Sequence, residues 1–150
     1  MRYNSIWSWR DHGWERDVSG LTDDEYAALA EFRFALRRFQ AFSEGRAADC
    51  GLTPQQHQTL LTIRGAGDEP ATVGYVADRL ILKPHSATGL VDRLHALDLV
   101  ARQASPTDRR QTLLSLTEKA EALLEQLSAG HREELRRLRP MLTEMLERLG

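Results

Sequence analysis

The chain has 150 residues, of which 41% are hydrophobic and 28% charged, enough apolar material for one packed core and too much for a disordered chain. No apolar run approaches the ~18 residues of a membrane-crossing helix, and a single cysteine, Cys50, excludes an internal disulfide framework. The net charge of −2 is unevenly spread: Arg79 to Arg110 holds six basic and three acidic residues, whereas Leu21 to Asp78 holds five basic and nine acidic. Local rather than total charge sets a phosphate-binding surface, and the positive charge gathers in that one short stretch.

Residues 1–20 read as an N-terminal extension. Trp7, Trp9 and Trp14, interleaved with charge, do not form a signal peptide, so the expected compartment is the cytoplasm. Leu21 to about Arg46 reads as a helix with Thr22 as its cap, acidic residues in its first turn and an apolar stripe at Leu29, Phe32, Leu36 and Phe39. A second helix opens at Thr53-Pro54 and stops at the loop from Gly65 to Pro70. Two short helical stretches follow, Thr72 to Leu80 and Pro84 to Leu97, joined by Ile81-Leu82-Lys83. Helices so joined fit a helix-turn-helix.

The pattern then changes to two strands, Leu99–Arg102 and Thr112–Leu116, around a polar loop holding Asp108, Arg109 and Arg110. That is a β-hairpin with a basic tip. Beyond Thr117 a further helix is expected, loosened at Gly130. A last helix then carries Leu135, Leu138, Leu142, Met145 and Leu149 in a seam interrupted by Pro140. The predicted class is mainly α with a small β-hairpin wing. It divides into an extension (1–20), a dimerisation helix (21–48), a winged helix-turn-helix domain (49–116) and C-terminal dimerisation helices (117–150).

From Leu80 to Thr117 the sequence resembles the MarR family of bacterial transcription regulators. The resemblance rests on Ser86-Ala87-Thr88-Gly89-Leu90-Val91-Asp92-Arg93-Leu94, Leu99-Val100, Asp108-Arg109-Arg110 and Leu114-Ser115-Leu116-Thr117. It extends more loosely from Leu21 to Leu149. It implies that Pro84 to Leu97 is a recognition helix, that Arg110 enters a minor groove, and that Asp108 orients that arginine. It also implies homodimers joined through the terminal helices and, in many members, a small and often phenolic ligand. Gly89 departs from the long polar residue that many relatives carry there.

The residue chemistry agrees with such a role. A helix fits the major groove, and short hydroxyls and basic side chains at its start reach phosphates and base edges. The candidate DNA contacts are Lys83, His85, Ser86, Thr88, Gly89, Arg93, Asp108, Arg109 and Arg110. Helix capping and helix-surface chemistry compete for Ser86 and Thr88, and an ion pair with Asp92 competes for Arg93. Arginine favours the narrow minor groove of A·T-rich DNA. A ligand pocket lined by the first, second and last helices would draw on Tyr26, Phe34, His57 and Arg64. Cys50 reads as an inert thiol, and His12, His57, His85, His95 and His131 form no metal-spaced pair in sequence. No cofactor is expected. With no phosphate-binding glycine loop, nucleophile motif or metal motif, an enzyme is not expected either. The expected function is a homodimeric regulator, a repressor, on a pseudo-palindromic operator. The competing reading is a helical interaction protein that does not bind DNA.

Overall fold

A computed structural model of the chain describes residues 20–106, 108 and 111–149. The Trp-rich extension and wing residues Thr107, Arg109 and Arg110 lie outside the described residues. The element order is α1 (Asp23–Asp49), α2 (Pro54–Arg64), α3 (Val73–Arg79), α4 (Pro84–Ala96), β1 (Val100–Ala104), β2 (Thr112–Leu116) and α5 (Glu118–Leu149).

Threonines start four of the helices. Thr22 accepts the Glu25 amide at 3.3 Å while the Glu25 carboxylate accepts the Thr22 amide at 2.7 Å. Thr53 and Gln56 form the same reciprocal pair at 3.2 and 2.9 Å. Thr72 accepts from Tyr75 at 3.1 Å, and Thr117 from Ala120 at 3.3 Å. Each such cap satisfies amides that the helix itself cannot, a contribution of about 1 kcal/mol.

Three helices end in one and the same left-handed turn. After α1, Leu52 donates to Ala47 at 2.9 Å; after α3, Leu82 to Ala77 at 2.8 Å; after α4, Leu99 to Leu94 at 3.0 Å. The turn residue is Gly51 (φ 73°), Ile81 (φ 54°) and Asp98 (φ 57°) respectively. In each case a leucine follows and returns the chain to the core. That core holds Leu60, Val76, Val91, Leu94, Val100 and Leu127, all less than 2% exposed. β1 and β2 pair antiparallel, from Val100 opposite Leu116 to Ala104 opposite Thr112. The Leu114 amide donates to the Ala71 carbonyl at 2.7 Å, which fixes the hairpin against the start of α3.

The C-terminal part differs from expectation. One 32-residue helix runs through both Gly130 and Pro140. Gly130 is not a break, because α1 packs beside it: a Cβ there would meet Phe42 Cζ at 3.5 Å and Arg46 Nε at 3.7 Å. Tertiary packing of this kind outweighs the local cost of a helical glycine, about 1 kcal/mol. Pro140 forgoes one helical hydrogen bond.

Ile81 is β-branched, sits in the left-handed region and is 91% exposed, so burial returns nothing for its strain of ~1–2 kcal/mol. Glycine there relieves the strain but loses more chain entropy on folding. Ile81→Gly is therefore expected to stabilise the chain by roughly 0.5–1 kcal/mol, read from the urea midpoint. An unchanged or lowered midpoint would show that the turn carries no strain.

Candidate nucleic-acid interface and the groove behind it

α4 buries Ala87, Leu90, Val91 and Leu94 and turns its other side to solvent. That side carries Lys83, His85, Ser86, Thr88, Asp92 and Arg93, all exposed, with Gly89 half-buried among them. Lys83, the cap residue, makes no side-chain cap bond. Pro84 has no amide, and the Ser86 and Ala87 amides donate to the Lys83 carbonyl at 2.9 and 3.1 Å, so what the first turn presents outward is the positive end of the helix dipole.

Of the alternatives weighed for Thr88, the local one is present: its hydroxyl donates to the Pro84 carbonyl at 3.0 Å. The oxygen still accepts. Asp92 does not pair with Arg93 but with Arg102 of β1. Adjacent residues on a helix do not face each other, whereas Arg102 reaches across from the hairpin. Arg93 keeps its charge without a carboxylate partner among the described residues. Its Nη1 lies 3.7 Å from the place a Cβ on Gly89 would take. The guanidinium thus folds back along the outer face of α4, over Gly89, at a distance a Cβ would meet as ordinary contact.

The hairpin is held to α4 at several points. Arg102–Asp92 is one, and a half-exposed pair of this kind is worth only about 0.2–1 kcal/mol, so its effect is on position rather than stability. His95 Nδ1 lies 2.8 Å from the Val100 carbonyl; a carbonyl only accepts, so that nitrogen carries the proton. α5 joins them: Thr117 Oγ1 donates to the Asp98 carbonyl and Lys119 Nζ to the Leu97 carbonyl, both at 2.8 Å. At the wing root the Asp108 amide donates to Ser105 Oγ at 3.3 Å, and Gln111 to the Asp108 carbonyl at 2.9 Å. Arg102, His95 and Ser105 escape sequence reading because their partners lie on other elements or in the turn itself. No local periodicity marks them.

Behind this surface α1, α2 and α5 enclose an open groove of about 560 Å³. Phe39, Leu61, Leu124 and Leu135 supply its apolar wall, and His57 and His131 lie in it. Arg132, Arg136 and Arg139 also line it, spaced along one face of α5. Of the four predicted ligand residues only His57 lies here. Tyr26 and Phe34 stand on α1 at 58% and 51% exposure, away from the groove. Arg64 pairs with Glu121 at 3.9 Å. The stripe of a lone helix does not tell which of its aromatics faces a neighbour; packing brings in Phe39.

The fold joins two histidines that are 74 positions apart, with ring centroids 5.1 Å apart. His131 Nδ1 lies 2.6 Å from the Leu127 carbonyl and Nε2 2.8 Å from Ser43 Oγ. His57 is 3% exposed and its Nε2 has no hydrogen-bond partner among the described residues. Among the described residues no group of three His, Cys, Asp or Glu side chains is arranged to hold a metal.

Burial, with His131 alongside, holds His57 below the usual histidine value of 6.5. The unfolded chain therefore binds this proton more readily than the folded one. The stabilising effect is complete above about pH 6.5 and is lost as pH falls below it. We expect the urea midpoint to drop between about pH 7.5 and about pH 5.5, and to drop less in His57→Gln. Equal losses in both proteins would show that His57 does not contribute.

Comparison with known proteins gives one family. A family model described as MarR family matches residues 51–111. The HTH-type transcriptional regulator MhqR of Bacillus subtilis (strain 168) is 35% identical over 108 residues, 67% of this chain and 73% of the relative. The HTH-type transcriptional repressor MdtR of the same organism is 34% identical over 94 residues, 63% of this chain and 59% of the relative. The fold is shared with a mutant of S. aureus MepR bound to oligodeoxyribonucleotide. That structure has a TM-score of 0.63 at 20% identity, over 87% of this chain and 100% of that one. Among the described residues no helix is long and apolar enough to cross a membrane. With its helix-turn-helix, its hairpin wing and these relatives, the chain belongs to the MarR family of DNA-binding transcription regulators and is not an enzyme.

Proposed function

We propose that the chain acts as a homodimeric repressor that sets its two α4 helices into successive major grooves of a pseudo-palindromic operator, and that a small apolar or aromatic ligand in the α1–α2–α5 groove releases it. The observation that carries the reading is the outer face of α4. Lys83, His85, Ser86, Thr88 and Arg93 are exposed together there, and the hairpin is fixed beside them by Asp92 and Arg102.

In this reading the N-terminal turn of α4 meets base edges, with Gly89 allowing close approach. Arg93 reaches the flanking phosphates. Arg109 and Arg110 follow the minor groove from the wing tip, with Asp108 orienting Arg110. Dimerisation is supported by apolar side chains that α1 and α5 leave uncovered: Tyr26, Leu29, Phe34, Leu36, Leu135 and Leu146 are 38–65% exposed. A dimer spaces its recognition helices by about 34 Å, one turn of DNA. Repression follows from occupancy of the operator, and one of the relatives is itself named a repressor. Release has a physical route, because the helix that lines the groove also donates two bonds to the end of α4 and the turn after it.

Selection of bound sites from random duplexes is expected to return an inverted repeat with half-sites one turn apart. Arg93→Ala and Arg110→Ala are each expected to weaken binding about tenfold and to lower the salt slope by about 1. A folded dimer that binds no duplex at low salt, with both variants unaltered in every property, would return the chain to the helical interaction reading.

A further inference from the structure

His57 Nε2 is a buried polar atom with no partner among the described residues, and it belongs to a side chain that lines the groove. A buried nitrogen that the protein itself leaves unpaired is a net cost to the fold, one that a polar group from outside the chain would relieve. Its neighbour is not free to complete it. A carbonyl can only accept, so the proton of His131 sits on Nδ1 toward Leu127. Nε2 then accepts from the Ser43 hydroxyl. Both nitrogens of His131 are engaged, and the ring is further held edge-on to Phe39 and Phe42. His57 is the histidine left with a buried, unpaired nitrogen among the described residues.

The charged surroundings of His57 are of one sign. α5 brings His131, Arg132, Arg136 and Arg139 to the groove. From α1 the lining residue is Phe39, and from α2 itself Leu61, neither of them ionisable. β2, which packs on α2, carries no ionisable side chain, and α3 and α4 add no lining residue. The Arg64–Glu121 pair begins seven residues farther along α2. Among the described residues no carboxylate therefore lines the groove. Arg136 pairs only loosely with Glu133, at 3.9 Å, and Arg132 and Arg139 have no ion-pair partner among the described residues. Apolar walls, an unsatisfied imidazole nitrogen and a row of arginines together fit a molecule with an apolar body and one negative oxygen group.

We propose that an organic anion entering this groove sets an oxygen on His57 Nε2 and that His57 takes up a proton from solvent as it does so, which makes occupancy of the groove pH-dependent. The proposal rests on reading the groove as the ligand site and adds the proton coupling to it. A charged His57 would stand beside His131 with no counter-charge among the described groove-lining residues. The anion supplies that counter-charge, and the Nε2–H then donates to its oxygen. The sign follows from linkage. The proton is bound more tightly in the complex than in the free chain, so lower pH favours the complex. The gain is at most about tenfold in affinity per pH unit between the two protonation midpoints. Mild acidification would thus sensitise the regulator to its ligand.

The test is titration calorimetry of the full chain with benzoate, naphthoate and octanoate as probes, in two buffers of different ionisation enthalpy, between about pH 7.5 and about pH 5.5. The expected result is binding with net proton uptake and with affinity rising as pH falls. His57→Gln should bind more weakly and without uptake. Histidine ring nitrogen NMR of the unsubstituted chain provides the same reading if that variant misfolds: the His57 resonances should move to the protonated pattern on adding probe, and those of His131 should not. Binding without uptake, or uptake that persists in His57→Gln, overturns the coupling and leaves the groove as a ligand site. No binding of any of the three probes at millimolar concentration overturns the ligand reading and the proposal together.

Discussion

The structure depends on how the first turns of α5 are seated. Ala120, Leu124 and Leu127 are at most 7% exposed and complete the core that α2, α4 and β1 build. In the same turns Thr117 and Lys119 satisfy the carbonyls of Asp98 and Leu97 just beyond α4. An apolar contact and a polar one thus act on the same short stretch. The burial is the larger effect: a buried leucine contributes ~1.5–3 kcal/mol against about 1 kcal/mol net for a hydrogen bond. The two bonds decide orientation, because they leave α4 and the hairpin little freedom to turn relative to α5.

That seating gives α5 three duties along one length of helix. Its start holds the DNA-facing unit, its middle lines the groove with His131 and the arginines, and its later part leaves Leu135 and Leu146 open to solvent. A continuous helix suits this combination, since a displacement at the groove is carried to the end of α4 without a joint to absorb it. The two helices expected from the sequence would have placed a hinge at Gly130, within the stretch of α5 that lines the groove. Gly130 gives no such hinge, as it lies against Phe42 of α1.

Much of the local architecture was legible in the residues. Threonine caps, Pro54 and Pro84 located the starts of helices. The alternation around Thr112 to Leu116 placed the second strand at its observed bounds. The recognition stretch, read as Pro84 to Leu97, ends one residue earlier. What stayed hidden is what arises between elements. Asp92 looked like a partner for Arg93 until the hairpin brought Arg102 across. Sequence reading picks out Tyr26 and Phe34 for the pocket and not Phe39, because a helix seen alone does not show which face its neighbour covers. His57 does line the groove, but its meeting with His131 needed α2 and α5 to be packed together.

The account stands on paired chains presenting paired α4 helices to one duplex, and the stoichiometry of the complex tests this most directly. Native mass spectrometry of the chain with a duplex carrying its selected site is predicted to show two chains on one duplex and no stable complex with one. A single chain bound alone, or chains that leave the duplex bare, would contradict it.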